Sequence, residues 1–310
     1  MQKQQSSLDE PQARPALVRV AIPHFCRPQA DAESGYGSSR DEAVLFRSLA
    51  LARCLGGVLA LARGIREEIL NIADHALLEA PSRCYPKRYL QGVVVDCHVF
   101  VVQDAFLAET LKAFDRRIKV HQVALEDPRQ LPHAARAFLL KDDAPGDADL
   151  SLYLEDDLVI HDQLFADKML WFTEKLNHQF SLMPHRYELT GSHVQPRLFV
   201  DGPIDSTVLP EHQQPAASVA QGQFWDGQTI AFDRASNPHS GCFALSAAQR
   251  RRLSHQQLPG DGFIGPLETV ATFTVLEHWP VMKSSWPQRD FLLIEHAHPS
   301  FLRARARMRS

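Results

Sequence analysis

Cysteine is scarce in this 310-residue chain. The five present, Cys26, Cys54, Cys84, Cys97 and Cys242, are scattered, odd in number and without a C-x-x-C pair. That argues against a disulfide framework and for reduced thiols in a cytoplasmic protein. Charge of one sign is not in excess either: 33 Lys and Arg stand against 37 Asp and Glu, a formal net charge of −4. Nothing in that balance points to nucleic acid. An uninterrupted apolar run is missing. The best stretch, 44–62, contains Arg47 and Arg53, and charges near mid-span are costly in lipid, so it reads as a buried helix of a soluble domain. The first fifteen residues are polar and lack the apolar core of a signal peptide. No internal repeat is visible, and no G-x-G-x-x-G, Walker A, H-E-x-x-H or G-x-S-x-G motif occurs.

What the chain does contain is alternation. Apolar, β-rich segments at 17–25, 92–102, 118–125 and 150–154 read as strands. Helical segments at about 41–70, 105–114 (with Asp104 as cap) and 133–140 separate them. Strands alternating with helices predict a doubly wound, mostly parallel α/β sheet flanked by helices, which binds ligands beyond the carboxyl ends of its strands. The second half predicts a helix over 162–180, a Pro- and Gln-rich loop over 209–221 and a strand over 240–245. Helices over 247–256 and 266–278 and strands over 280–284 and 291–296 follow. No linker separates the halves. The expected layout is a flexible arm (1–16), one two-lobed domain (17–302, with halves 17–160 and 161–302) and a basic tail (303–310).

The strand over 150–154 runs into Glu155-Asp156-Asp157. Three consecutive carboxylates repel one another, so something positive should offset them. As plain loop acids they precede Asp162, a helix N-cap. As a functional cluster they suit a divalent cation bound to a diphosphate, whose departure develops negative charge.

The segment Leu152-Tyr153-Leu154-Glu155-Asp156-Asp157-Leu158 resembles the D-x-D region of GT-A glycosyltransferases, in which a strand delivers an E-D-D triplet. Ile22-Pro23-His24-Phe25 with Tyr36-Gly37-Ser38 looks like their first strand and following loop. His239-Ser240-Gly241-Cys242-Phe243-Ala244-Leu245-Ser246 looks like the strand lining the acceptor side. Gly265-Pro266-Leu267-Glu268-Thr269 looks like the helix start that carries an acid, and Ile294-Glu295-His296-Ala297-His298 like the last strand, ending in a metal-binding histidine. The resemblance spans roughly 17–302. It implies that Glu155 or Asp156 faces the nucleoside, that Asp157 holds the metal, and that His296 or His298 is a further ligand. A histidine favours Mn2+ over Mg2+. On a continuous strand only one of the two histidines faces the site. In a chain with 15 histidines, both also read as ordinary surface residues.

An inverting transfer needs a carboxylate to deprotonate the acceptor. Glu268 is the first candidate, though acids in a first helical turn also complement the helix dipole. Asp261, in Gly260-Asp261-Gly262, is the second, and a plain turn is its alternative. Arg40 is a candidate for the diphosphate. Trp225, Trp279 and Trp286 either stack on sugars or pack. The C-terminal arginines 303, 305, 307 and 309 read as a solvated tail or as a weak contact to anionic lipid headgroups or a phosphorylated acceptor. The expected function is metal-dependent transfer of a sugar from a nucleotide-sugar, of the nucleoside-diphosphate type, to a glycan, lipid or protein. The competing readings are a nucleotidyltransferase or hydrolase and a non-catalytic carbohydrate-binding protein.

Overall fold

The structure, a computed structural model, describes residues 14–27, 41–80, 88–141 and 147–309. The first half comprises β1 (Ala16–His24), α1 (Asp41–Leu59), the hairpin of β2 (Glu68–Asn71) and β3 (Ala76–Glu79), and β4 (Val93–Val102). It continues through α2 (Ala108–Lys112), β5 (Lys119–Val123), α3 (Leu131–Leu140), β6 (Leu150–Leu154) and β7 (Leu158–Val159). The second half begins with α4 (Phe165–Lys175), β8 (Ser181–Leu182), β9 (His185–Leu189), β10 (Arg197–Phe199), β11 (Ala216–Gln223) and β12 (Thr229–Arg234). It ends with β13 (Cys242–Ser246), α5 (Ala247–Leu253), α6 (Pro266–Leu276), β14 (Val281–Ser284), β15 (Leu293–His296) and α7 (Ser300–Arg309).

The fold is mixed α/β around a five-stranded sheet in the order β13-β6-β1-β4-β5. Its four inner-to-edge strands β6, β1, β4 and β5 are parallel, and β13 is antiparallel to β6. The four expected strands therefore share one sheet. Val20, Ile22, Val99 and Leu154 face one core with Leu51, Leu55 and Val58 of α1 and Phe165 and Met169 of α4. Ala21, Phe100 and Tyr153 face a second core with Leu139 of α3 and Val270 of α6. Helices thus cover both faces, which is why these strands read as continuous apolar runs.

Two four-stranded sheets, β10-β9-β15-β7 and β11-β12-β14-β8, carry the second half, the first of them taking in β7 from the first half. Sequence reading placed a loop over part of β11 and did not separate the short strands β7 to β10. The helix expected over 41–70 stops at Leu59, and the chain turns to bridge Arg63 with Val93 before the β2–β3 hairpin. Nor is α1 buried throughout: Leu45, Phe46 and Leu49 are exposed while Leu51, Leu55 and Val58 are buried. The helix expected over 105–114 shrinks to α2, and Asp104 does not cap it. Asp104 takes φ 58° in the preceding turn, and α2 has no side-chain cap. Asp162 lies ahead of α4 rather than at its N-cap, accepting from the Leu164 N–H at 2.9 Å. No helix among the described residues is long and apolar enough to cross a membrane.

Candidate active site

The chain passes from β1 to β4 and β5 on one side and returns through α3 to β6 on the other. In such a sheet the crevice for ligands opens where the strand order reverses, outside the carboxyl ends. Here that point lies between β1 and β6. β1 ends at His24, and β6 runs directly into Glu155-Asp156-Asp157. Side-chain alternation then divides the triplet. Leu154 faces the α1 side and Tyr153 the α3–α6 side. Asp156 continues the first face and Glu155 the second.

On the α1 side, Asp156 is 7% exposed and heavily partnered. His24 Nδ1 donates to its Oδ2 at 2.6 Å. The other ring nitrogen, Nε2, accepts the Leu107 N–H at 3.1 Å, which fixes the tautomer. Arg47 of α1 reaches both oxygens of Asp156 at 2.7 Å and Oδ2 of Asp157 at 3.2 Å. Burial disfavours both charges, but the two groups offset it for each other. The Asp156 pKa is lowered by Arg47 and His24, and the Arg47 pKa is raised by Asp156 and Asp157. Arg47 is thus the positive group that the triplet demands. It can stand there because α1 packs closely on the chain after β7: a Cβ on Gly57 would lie 2.5 Å from the Ile160 carbonyl oxygen.

Asp157 faces the C-terminal strand. Its Oδ2 lies 3.6 Å from His296 Nε2. His296 closes β15, which pairs with β7 at Leu158, and the Ala297 N–H donates to the Asp157 carbonyl at 2.8 Å. The other His296 nitrogen, Nδ1, donates to Glu188 Oε1 at 2.9 Å. Glu188, on β9, is anchored by the Phe301 and Leu302 N–H groups at 3.0 and 2.7 Å, at the start of α7. The expected basic tail is therefore largely this helix. Burial alone would lower the His296 pKa; Asp157 and Glu188 outweigh it and the pKa is raised. His298 lies beyond the end of β15, so strand alternation does not exclude it. Its pKa is lowered, chiefly by burial, while the Asp157 charge acts to raise it.

On the α3–α6 side, Glu155 is buried and its pKa is pushed up to about 8, by desolvation first and by the Asp157 charge next. Gly241, at φ 65°, makes room for it: a Cβ there would sit 2.8 Å from Glu155 Oε2. Glu268 occupies the first turn of α6, after Pro266. It acts electrostatically on both Glu155 and Tyr153. Glu155 Oε1, Glu268 Oε2 and the Tyr153 hydroxyl are each buried with no hydrogen-bond partner among the described residues. Unpaired buried polar atoms are costly, and three in mutual electrostatic reach mark a place for a polar ligand or water. Asp261 is exposed in the bend before α6. Arg40 lies outside the described residues. Trp279 is buried, whereas Trp286 is exposed.

Two donor atoms each about 2.1 Å from one ion stand roughly 3–4 Å apart, so Asp157 Oδ2 and His296 Nε2 fit as a pair of ligands. A carboxylate on the far nitrogen, here Glu188, is the usual support of a metal-binding histidine. No group of three or more His, Cys, Asp or Glu able to hold a metal occurs among the described residues. An ion here would take much of its shell from ligand oxygens, as Mg2+ and Mn2+ bound to diphosphates do. Arg47 and Glu188 escaped sequence reading. Arg47 was legible: with Leu51, Cys54, Leu55 and Val58 it falls on one face at helical spacing, and those four are buried.

No protein-family model matches this chain, and no curated protein matches it. Among solved structures, residues 1–349 of S. aureus TarS align over 88% of this chain at 12% identity and TM-score 0.38. This chain spans 62% of that one. A 4-diphosphocytidyl-2C-methyl-D-erythritol synthase aligns over 87% of this chain and 88% of its own at 11% identity and TM-score 0.35. Neither overlap is close enough to carry an argument about chemistry.

Proposed function

We propose that the chain transfers a sugar from a nucleoside-diphosphate sugar, bound with Mn2+ or Mg2+, to a hydroxyl acceptor. The observation that carries this reading is the pairing of Asp157 Oδ2 with His296 Nε2 at 3.6 Å, backed by Glu188 and set at the switch point of a parallel sheet. A bound cation would neutralise charge on the departing diphosphate. Asp157 and His296 would hold it, with His298 in reserve. Arg47, already stretched between two carboxylates, would exchange part of that contact for diphosphate oxygens. Asp156 would stay fixed by His24 and orient the nucleoside side. Across the strand, Glu268 would take the proton of the acceptor hydroxyl as its oxygen bonds to the sugar and the diphosphate leaves with the bonding electrons. Glu155 and Tyr153 would hydrogen-bond the acceptor. Asp261 is the second candidate base.

A second reading has its own observation. Arg47 contacts both Asp156 and Asp157 and offsets one of their two negative charges, which also suits a non-catalytic binding protein. Calorimetric titration of UDP and GDP, with Mn2+ and with EDTA, separates the two. Binding that needs Mn2+ supports transfer; equal affinity in EDTA removes the metal and with it the proposal.

A further inference from the structure

Between the two smaller sheets lies a cavity of about 550 Å3, walled in part by β9, β12 and β14. None of Asp156, Asp157 or His296 lines it. Its lining sets Arg186, Arg234 and Lys283 against Asp201 and Asp233, an excess of one cation. His185 does not add to that excess: burial lowers its pKa to about 4.

The polar floor is deeply buried. Arg186 is 5% exposed and Lys283 4%. Arg186 Nε donates to Asp201 Oδ1 at 2.8 Å, and Lys283 Nζ donates to Oδ2 at 2.8 Å. Two buried cations therefore share one carboxylate. Lys283 also donates to the His239 carbonyl at 3.1 Å. Among the described residues these are its only acceptors, and an ammonium has three N–H bonds. Asp233 stands opposite Lys283 in the β12–β14 ladder, with the Ser285 hydroxyl and the Ser218 N–H both donating to its Oδ1. A buried cation short of partners is costly, and a bound oxyanion would supply what is missing. At the wall, Trp286 is 53% exposed. It meets Phe199 and His185 edge to face at 4.9 and 5.8 Å. The volume lies within the range of about 300–1,000 Å3 typical of organic ligands, far more than a bare phosphate fills.

We propose that this cavity binds a small organic anion, with its phosphate or carboxylate on Lys283 and Arg186 and its ring against Trp286. Arg186 also acts electrostatically on Glu155 and His296, so the cavity adjoins the candidate active site through that one side chain, but the proposal does not depend on the transfer reading. The test is calorimetric titration in EDTA with glucose 6-phosphate, glucuronate and glucose. The proteins are the wild type, Lys283→Met, Trp286→Ala and Arg47→Met. At least one anionic sugar binds and glucose does not; which of the two binds tells phosphate from carboxylate. Lys283→Met, which leaves Asp201 paired one to one with Arg186, and Trp286→Ala each weaken binding roughly tenfold or more, whereas Arg47→Met does not. Glucose binding as tightly as the anions, binding of none of the three, or loss in Arg47→Met without loss in Lys283→Met overturns the site. Should Lys283→Met fail to fold, Trp286→Ala decides, and unchanged affinity there overturns the proposal.

Discussion

The Arg47 guanidinium lies 2.7 Å from both carboxylate oxygens of Asp156, across 109 residues of sequence. This contact ties α1 to the end of β6 and sets the energetics of the candidate site. Removing one partner of a buried pair leaves a charge without compensation. Arg47→Met should therefore destabilise the protein by about 3 kcal/mol, because Asp156 keeps only His24. Adding Asp156→Asn should restore much of that loss, since the stranded charge is gone. Urea unfolding of the two singles and the double gives the coupling, and strictly additive losses would show that the pair does not act as one unit.

Asp157→Asn and His296→Ala should each weaken Mn2+-dependent UDP or GDP binding by about tenfold or more if both hold one ion. The double mutant should lose far less than the sum, because ligands of one ion act together. Calorimetry on the three variants reads this directly. Additive losses would leave His298 as the next ligand to test.

Gly56 and Gly57 make a paired test of how α1 is seated. Nothing lies within 4 Å of a Cβ at Gly56, so Gly56→Ala should stabilise the helix by about 0.5–1 kcal/mol. At Gly57 the same change drives a methyl against the Ile160 backbone. Gly57→Ala should cost about 1–3 kcal/mol and, by shifting Arg47, weaken nucleotide binding. Equal effects at the two positions would show that α1 is not held close at Gly57.

His185 should contribute a stability that falls on acidification between pH 6.5 and 4. Down to about pH 4.5 it is opposed by Glu155, whose pKa is pushed up to about 8 so that the native state holds a proton the unfolded chain lacks. Burial lowers the His185 pKa from 6.5 to about 4, so in this window the unfolded chain takes up a proton that the native state refuses. The contribution is fully present above pH 6.5, declines as pH falls, and is spent below 4; it is at most about 3 kcal/mol. His239 is buried and its pKa is held well below the usual value, which steepens the decline. His185→Gln can still donate to the Ser284 carbonyl, which His185 Nε2 meets at 2.7 Å. Across this range chemical denaturation of that variant should lose less stability on acidification than the wild type does, and an unchanged pH dependence would exclude His185 as a source.

Much of the central sheet could be read from sequence because its strands are largely buried on both faces, and two-sided burial demands continuous runs such as 97–102 of β4 and Leu150–Leu154. The position of Glu155-Asp156-Asp157 at a strand end followed from the same runs. Local sequence also put Glu268 in a first helical turn, after Pro266. It could not decide whether that acid faced the triplet, since a helix dipole and a buried site ask for the same residue.

Everything that gives the candidate site its character is non-local. β7 and β9 are short, and too few residues repeat for periodicity to announce them, whereas β15 was expected as a strand over 291–296. Their pairing nevertheless carries Glu188 to His296 and His296 to Asp157. Arg47 looked like an interruption of an apolar stretch because hydropathy counts a charge without its partner. Only the packing of α1 against the end of β6 supplies Asp156. The division of the triplet, with Asp156 toward a cation and Glu155 into a buried, raised-pKa pocket, follows from strand alternation. The partners on the two faces come from helices and strands far apart in the chain, so their chemistry was decided by tertiary structure alone.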